Sequence, residues 1–234
     1  MRSRLLDLFC GAGGCSVGYH RAGFDVVGVD IKPQPRYPFP FVFGDALDVL
    51  RRMLNGEKVL ATDGNYYGID DFDAIHASPP CQAYSVTKSL TTKDHPELVP
   101  QTRALLQSTG KTWVIENVPG APLFNPLLLC GTMFGLDVIR HRLFESSHPI
   151  YFPPTMCAHV GKTGNSRRMR EQGITRCPSQ KDGYRFVSVA GKGYLVEEGR
   201  RAMGIDWMVQ TELSQAIPPA YTEYIGRHLL EALS

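Results

Sequence analysis

The 234-residue chain contains no run of eighteen or more apolar residues, so no segment reads as a membrane-crossing helix. Its first stretch, MRSRLLDLFCGAGG, has neither an apolar signal core nor a small-residue cleavage site, and a soluble, cytoplasmic protein is expected. Six cysteines are too few for a disulfide scaffold in a chain of this length, so in a reducing compartment they stay thiols available to metal or chemistry. Internal repeats and low-complexity tracts are missing. The GxGxxG fingerprint of dinucleotide sites is missing too.

What is present suits one enzyme-sized domain with a small insertion: 43% of residues are hydrophobic, enough for a sizeable core. Apolar runs alternate with amphipathic stretches, which argues for an α/β fold of βαβ units around a mostly parallel sheet. Strands are expected at 5–9, 25–30, 73–77 and 112–116, with a third strand ending before Asp45. Helices are expected at 16–22, 46–54, 97–108, 200–203 and 220–233. From 149 to 194 prolines, glycines and basic residues replace the periodicity, marking an irregular insertion between a catalytic domain of 1–148 and 195–234. Net charge is only +2, but residues 159–201 hold ten Lys/Arg against four Asp/Glu. Such a basic segment is either a solvated face or a surface for a polyanion.

In LLDLFCGAGG a buried strand runs into Gly11, Gly13 and Gly14 and then a helix, which brings backbone close to a ligand. The second strand ends in Asp30, where a carboxylate can accept from two ribose hydroxyls. Asp45, in FGDALDV, could meet an adenine amino group; alone, each of these acids is as readily a turn or helix cap. Together they point to an adenosine-containing cofactor without a pyrophosphate cradle, S-adenosylmethionine.

The octapeptide SPPCQAYS follows the apolar run DAIHAS, so Pro79, Pro80 and Cys81 lie beyond a strand's carboxyl end, where open α/β sheets bind ligands. Two prolines set backbone torsions and remove two donors, holding the thiol in one place. Glu116 and Asn117 end the next strand in WVIENVPG, and Arg140 and Arg142 follow in VIRHRLFE. A carboxylate next to a thiol hinders thiolate formation unless a cation offsets it. Arg142 is a candidate for that cation.

In this order LDLFCGAGGCSVGYHRAGF, GVDIKP, FGDALDV, SPPCQAYS, ENVPG, RHRLF and SQAIPPAYTEYIG resemble the DNA cytosine-5 methyltransferase family, especially its small phage and prophage-type members. The resemblance covers everything but the basic insertion. It implies a Rossmann-like methyltransferase fold and transfer of a methyl group from S-adenosylmethionine, leaving S-adenosylhomocysteine, to C5 of a cytosine flipped out of double-stranded DNA in a bacterial or phage-infected cell. It implies that Cys81 attacks C6, that Glu116 serves N3, and that Arg142 contacts the base and holds Glu116. It places Arg140 and Ser85 near phosphates, Phe9 on the adenine, and Gly11, Gly13, Gly14, Asp30, Ile31, Asp45, Pro80 and Gln215 around the cofactor. Gln82 joins the nucleic-acid contacts. A monomer is expected, with a partner chain for DNA binding left open.

Two departures stand out: Gln215 replaces the family's late Asn, and Val138 replaces the Gln that opens its Gln-x-Arg-x-Arg element. The longer amide leaves open a carboxylated S-adenosylmethionine as donor. Residues 149–194 hold the place of the recognition domain but are short, implying a short or degenerate target read by Arg167, Arg168, Arg170 and Arg176. Cys157, His159 and Cys177 are spaced too loosely to read as a zinc site, and no metal is expected. Cys10, Cys15 and Cys130 are expected to pack as small apolar groups, and His20, His76, His95 and His141 to serve as helix-face, strand or capping residues. A tRNA cytosine-5 methyltransferase and a non-catalytic DNA-binding subunit are the alternatives, the latter disfavoured by the joint presence of Cys81, Glu116 and Arg142.

Overall fold

A computed structural model describes residues 2–82, 84, 96–150, 152–164 and 184–234. In chain order the strands are β1 (Arg4–Leu8), β2 (Asp25–Asp30), β3 (Phe41–Phe43), β4 (Val59–Leu60), β5 (Tyr66–Tyr67), β6 (Ala74–Ala77), β7 (Thr112–Asn117), β8 (Leu127–Leu129), β9 (Arg142–Ser146), β10 (Lys162–Gly164) and β11 (Tyr184–Val187). The helices are α1 (Gly14–Ala22), α2 (Ala46–Leu54), α3 (Val99–Ser108), α4 (Val196–Met203), α5 (Gln210–Gln215) and α6 (Pro219–Leu233). Every strand and helix expected from the apolar pattern is present, within a few residues at its ends. Among the described residues no helix is long and apolar enough to cross a membrane.

Seven strands form one sheet in the order β3-β2-β1-β6-β7-β9-β8. The first five are parallel, while β9 runs antiparallel to both β7 and β8. The chain leaves β1 toward β2 on one side and reaches β6 on the other, so the order reverses between β1 and β6. That reversal opens a crevice at the carboxyl ends of the strands.

Alternation along β1 decides which helix covers which face. Leu6 and Leu8 join a core with Val49, Leu50 and Met53 of α2 and Leu106 of α3. Leu5 points the other way, into a core with Tyr19 of α1 and Tyr221, Ile225 and Leu229 of α6. Two glycines let α1 and α6 touch backbone to backbone. A Cβ on Gly18 would stand 2.0 Å from Thr222 Oγ1 and 2.2 Å from the Pro219 carbonyl oxygen. The Thr222 hydroxyl donates across the same gap to the Cys15 carbonyl at 2.8 Å.

The edge strand β8 and its neighbour β9 have no apolar run long enough to announce them. Within the 149–194 insertion, expected to be irregular, β10 and β11 pair in parallel. Parallel neighbours cannot be joined by a tight turn, and residues 165–183 connect them. The returning limb is not loose: Val189 and Tyr194 are buried in a third core with Met203, Met208 and Leu213.

Candidate active site

The glycine loop begins with a non-glycine residue under strain. Phe9, the residue after β1, sits at φ +61°, a left-handed conformation that costs a residue with a Cβ on the order of 1 kcal/mol. It turns the chain out of the sheet plane toward Gly11, which also has positive φ and would bring a Cβ to within 4 Å of nothing. The Gly11 N–H donates to Asp30 Oδ2 at 2.9 Å, and the Lys32 N–H donates to Oδ1 at 2.9 Å. Asp30 therefore holds the loop while keeping one further lone pair on each oxygen. Beside it Ile31 is 60% and Phe43 66% exposed, at the ends of adjacent strands β2 and β3. Large apolar side chains left open on both sides of a carboxylate suit a flat aromatic ligand bearing hydroxyls.

Gly14 differs from that loop. A Cβ there would lie 2.5 Å from the Ile217 carbonyl oxygen, so intramolecular packing, not a ligand, requires glycine. Gly13 abuts Tyr37 and Pro38 for the same reason. Asp45 is likewise corrected in part: its Oδ1 accepts from the Leu47 and Asp48 N–H groups at 3.0 Å, making it the cap of α2.

Cys81 is half-buried beyond β6, after a loop whose shape Asn117 sets. The Asn117 amide, 1% exposed, donates from Nδ2 to the Pro79 carbonyl at 2.9 Å, while its Oδ1 accepts from the Val118 N–H at 2.9 Å. The ENV and PPC segments are thus bolted together by one side chain. Burial pushes the Cys81 thiol up and Glu116 pushes it further, more than Arg142 and Arg140 bring it down. The resting group is a thiol.

Glu116 is buried in the strand next to that loop, and burial raises it above the usual carboxylate range despite Arg142. Arg142 Nε lies 3.1 Å from Glu116 Oε1. The contact is an ion pair without an aligned hydrogen, and Oε1 has no hydrogen-bond partner among the described residues. A buried acceptor left open in this way awaits a donor. Behind it runs a buried polar chain that the sequence reading missed as a unit: Tyr19 Oη to His76 Nδ1 at 2.9 Å, then His76 Nε2 to Ser78 Oγ at 2.9 Å. Ser78 in turn lowers Glu116, against the larger effect of burial. Desolvation drops His76 to about 3, so it is neutral. Asp7, which accepts from the Ser16 hydroxyl, is raised by burial to about 7. A polar residue amid apolar neighbours, as in LLDLF and DAIHAS, is the signal that could have found both.

Arg140 is not at the surface. Its guanidinium is buried and donates to the Val189 carbonyl at 3.0 Å and the Ser214 carbonyl at 2.8 Å, so it fastens the returning limb of 184–195 and the end of α5 to the sheet. The expectation of a phosphate contact is corrected. Burial and the neighbouring Arg142 lower it to about 9. Val138, where the sequence departs from the resemblance, is buried among Tyr194, Met203 and Leu213. Pro80 is half-buried, and Gln82 and Gln215 are exposed. Ser85, His95, Arg167, Arg168, Arg170, Arg176 and Cys177 lie outside the described residues.

A second cluster corrects the expectation for cysteine and histidine. Cys10 and Cys15 are buried as expected, but Cys130 meets His141, Cys157 and His159, with all four ligand atoms within 4.8 Å of one another.

The family model for C-5 cytosine-specific DNA methylases matches residues 3–124. Among curated proteins, the type II methyltransferase M.XorII of Xanthomonas oryzae is 33% identical over 120 residues, spanning 49% of this chain and 28% of that protein. M.AquIA of Picosynechococcus is 28% identical over 133 residues, spanning 51% of this chain and 50% of its own. The chain thus spans half or less of the length of these relatives. In fold, it resembles a prophage-encoded E. coli protein described as a DNA modification methyltransferase, at TM-score 0.62 and 17% identity over 99% of both chains. Dnmt2 of S. pombe superposes at TM-score 0.62 and 13% identity over 100% of both. With more than half of its residues matched by that family model, the chain belongs to the C-5 cytosine-specific DNA methylases.

Proposed function

We propose that this chain transfers a methyl group from S-adenosylmethionine to C5 of cytosine in double-stranded DNA, with Cys81 as the nucleophile. The observation that supports this reading most strongly is the meeting of Cys81, Glu116 and Arg142 at the carboxyl edge of β6 and β7, beside the Asp30 loop. The cofactor fits what the loop offers: open space at Gly11, two free lone pairs on Asp30 for ribose hydroxyls, and exposed Ile31 and Phe43 for an adenine. S-adenosylmethionine supplies an electrophilic methyl group.

The protein's part begins with the base, which must leave the duplex because C6 is attacked out of the ring plane. The Cys81 thiol first gives its proton to solvent; the thiolate sulfur then bonds to C6, and the ring electrons displaced toward N3 are met by a proton from Glu116, whose raised affinity for protons suits it to donate. C5 is then enamine-like and takes the methyl group. A base removes the C5 proton, the electrons of that bond restore the C5–C6 double bond, the sulfur leaves as thiolate, and N3 returns its proton to Glu116. Arg142 holds the Glu116 carboxyl and offsets charge near Cys81 throughout. In this reading 1–148 and 195–234 form the catalytic unit and 149–194 a short recognition insertion.

Nucleoside mass spectrometry after incubation with duplex DNA is the test. A gain of one methyl on deoxycytidine is expected. A carboxymethyl product with the carboxylated donor would assign the exposed Gln215 to that donor's carboxylate. Product only on tRNA would replace the substrate. Asp30→Asn, which keeps one acceptor oxygen, is expected to weaken S-adenosylmethionine binding on the order of 10- to 100-fold in calorimetry, the worth of one hydrogen bond to a charged acceptor. Unchanged affinity would remove Asp30 from the cofactor site.

A further inference from the structure

Four side chains far apart in sequence converge where the sheet meets the segment leading into β10. Cys130 follows β8 and caps the short helical turn 131–134; His141 immediately precedes β9; Cys157 and His159 lie on segment 152–161. Nε2 of His159 is 3.4 Å from Cys130 Sγ, and Nε2 of His141 is 3.4 Å from Cys157 Sγ. Zn–S bonds of about 2.3 Å and Zn–N bonds of about 2.0 Å give a tetrahedron with edges of roughly 3.3–3.8 Å, which these two contacts match. Cys157 Sγ and His159 Nε2, at 2.6 Å, would open by about 1 Å to reach such an edge. The imidazoles of His141 and His159 face one another at 4.9 Å between centroids. One hydroxyl serves both sulfurs: Thr132 Oγ1 lies 3.5 Å from Cys130 Sγ and 3.7 Å from Cys157 Sγ, and accepts from the Ala158 N–H at 3.2 Å. Such outer partners orient metal ligands.

We propose that Cys130, His141, Cys157 and His159 bind one structural zinc ion that pins the base of the 149–164 segment to the β8–β9 edge of the sheet. Two thiolates and two imidazoles in tetrahedral array favour zinc over the hard cations, and four protein ligands leave no position open for substrate. The site is therefore a clamp. Its reach toward the catalytic groups is short, because the His141 carbonyl accepts from Arg142 Nη1 at 2.7 Å and Arg142 pairs with Glu116. The clamp rests on no part of the methyl-transfer reading, and its test reads metal rather than product.

The full chain, produced with zinc in the medium and purified without chelator, is expected to carry about one zinc per chain by plasma mass spectrometry, and Cys157→Ala and His159→Ala each less than roughly a tenth of that. Thr132→Val is expected to bind zinc 10- to 100-fold more weakly. Replacing zinc with cobalt(II) should give the intense visible bands of a tetrahedral site and a thiolate-to-cobalt charge-transfer band. In His159→Cys, which retains four ligands, the charge-transfer band should strengthen. Folded protein with less than roughly a tenth of an equivalent of zinc and no cobalt spectrum would overturn the proposal. So would a Cys130–Cys157 disulfide in its place, or a cobalt spectrum indifferent to His159→Cys.

Discussion

Cys81→Ser is expected to lower methyl transfer by roughly three orders of magnitude or more while leaving the fold and S-adenosylmethionine affinity intact. The side chain is only half-buried and serine is nearly its size, so the loss reads chemistry rather than packing. Serine cannot supply a thiolate, and the oxygen of an unactivated hydroxyl is a weak nucleophile toward an aromatic carbon. A covalent readout separates nucleophile from bystander. DNA with fluorine at C5 of its target cytosine cannot release a proton there, so the Cys81 adduct should persist and be visible by mass. The serine variant should form none. Activity within tenfold of the unaltered protein would remove Cys81 from the mechanism.

The same thiol sets a pH dependence. Because burial and Glu116 raise Cys81 above the usual thiol range, its thiolate fraction at neutral pH is small and grows about tenfold per pH unit below the pKa. Adduct formation should therefore rise with pH until loss of the Glu116 proton offsets the gain in thiolate. Glu116, also raised, retains its proton to higher pH than an exposed carboxyl, which favours the coexistence of its proton with the Cys81 thiolate. A rate that falls steadily from pH 6 upward would show that the thiol does not need to ionise.

The largest effect on stability is expected at a pair remote from the chemistry. Arg103 of α3 and Glu145 of β9 form a buried bidentate ion pair: Nε donates to Oε1 at 2.6 Å and Nη2 to Oε2 at 2.7 Å. Nη2 also donates to the Pro122 carbonyl at 2.6 Å, Oε2 accepts from the Phe124 N–H at 2.9 Å, and the guanidinium lies 4.1 Å from the Phe124 ring. Glu145→Ala leaves a guanidinium buried without its counter-charge, a loss of about 3–5 kcal/mol. In a chain of this size that lowers the melting temperature by roughly 6–20 °C. Arg103→Met together with Glu145→Leu removes both charges and should recover most of the loss, because much of it is desolvation of the abandoned partner. A double variant as unstable as Glu145→Ala would mean that the contacts to Pro122 and Phe124, not the charge pair, hold α3 against the sheet.

Much of the fold was legible because strands and helices announce themselves locally. Leu5, Leu6 and Leu8 repeat at the strand period, and Val49, Leu50 and Met53 at the helical one, and each pattern names its own element without help from afar. The glycine loop, the acid ending β2 and the proline-bound thiol were legible for the same reason: each is a short segment whose torsional needs are written in adjacent residues. β8 and β9 were not, since a three-residue run and RLFES carry too little periodicity to be told from a loop. Asp45 shows the limit within a motif, where a helix cap and an adenine contact use the same side chain and only the geometry of α2 showed that Oδ1 caps the helix.

The sequence by itself determined the succession of parallel βα units and the delivery of Cys81 and Glu116 to one edge, because alternation sets strand faces and strand order brings their ends together. Only the tertiary structure decided that Arg140 is buried on two backbone carbonyls, that Gly14 yields to Ile217, and that Cys130, His141, Cys157 and His159 share one small space. Those outcomes depend on contacts between residues 16 to more than 200 positions apart in some cases and on loops without periodicity in others. Local chemistry does not specify such distances; the closure of the sheet and the packing of its helices do.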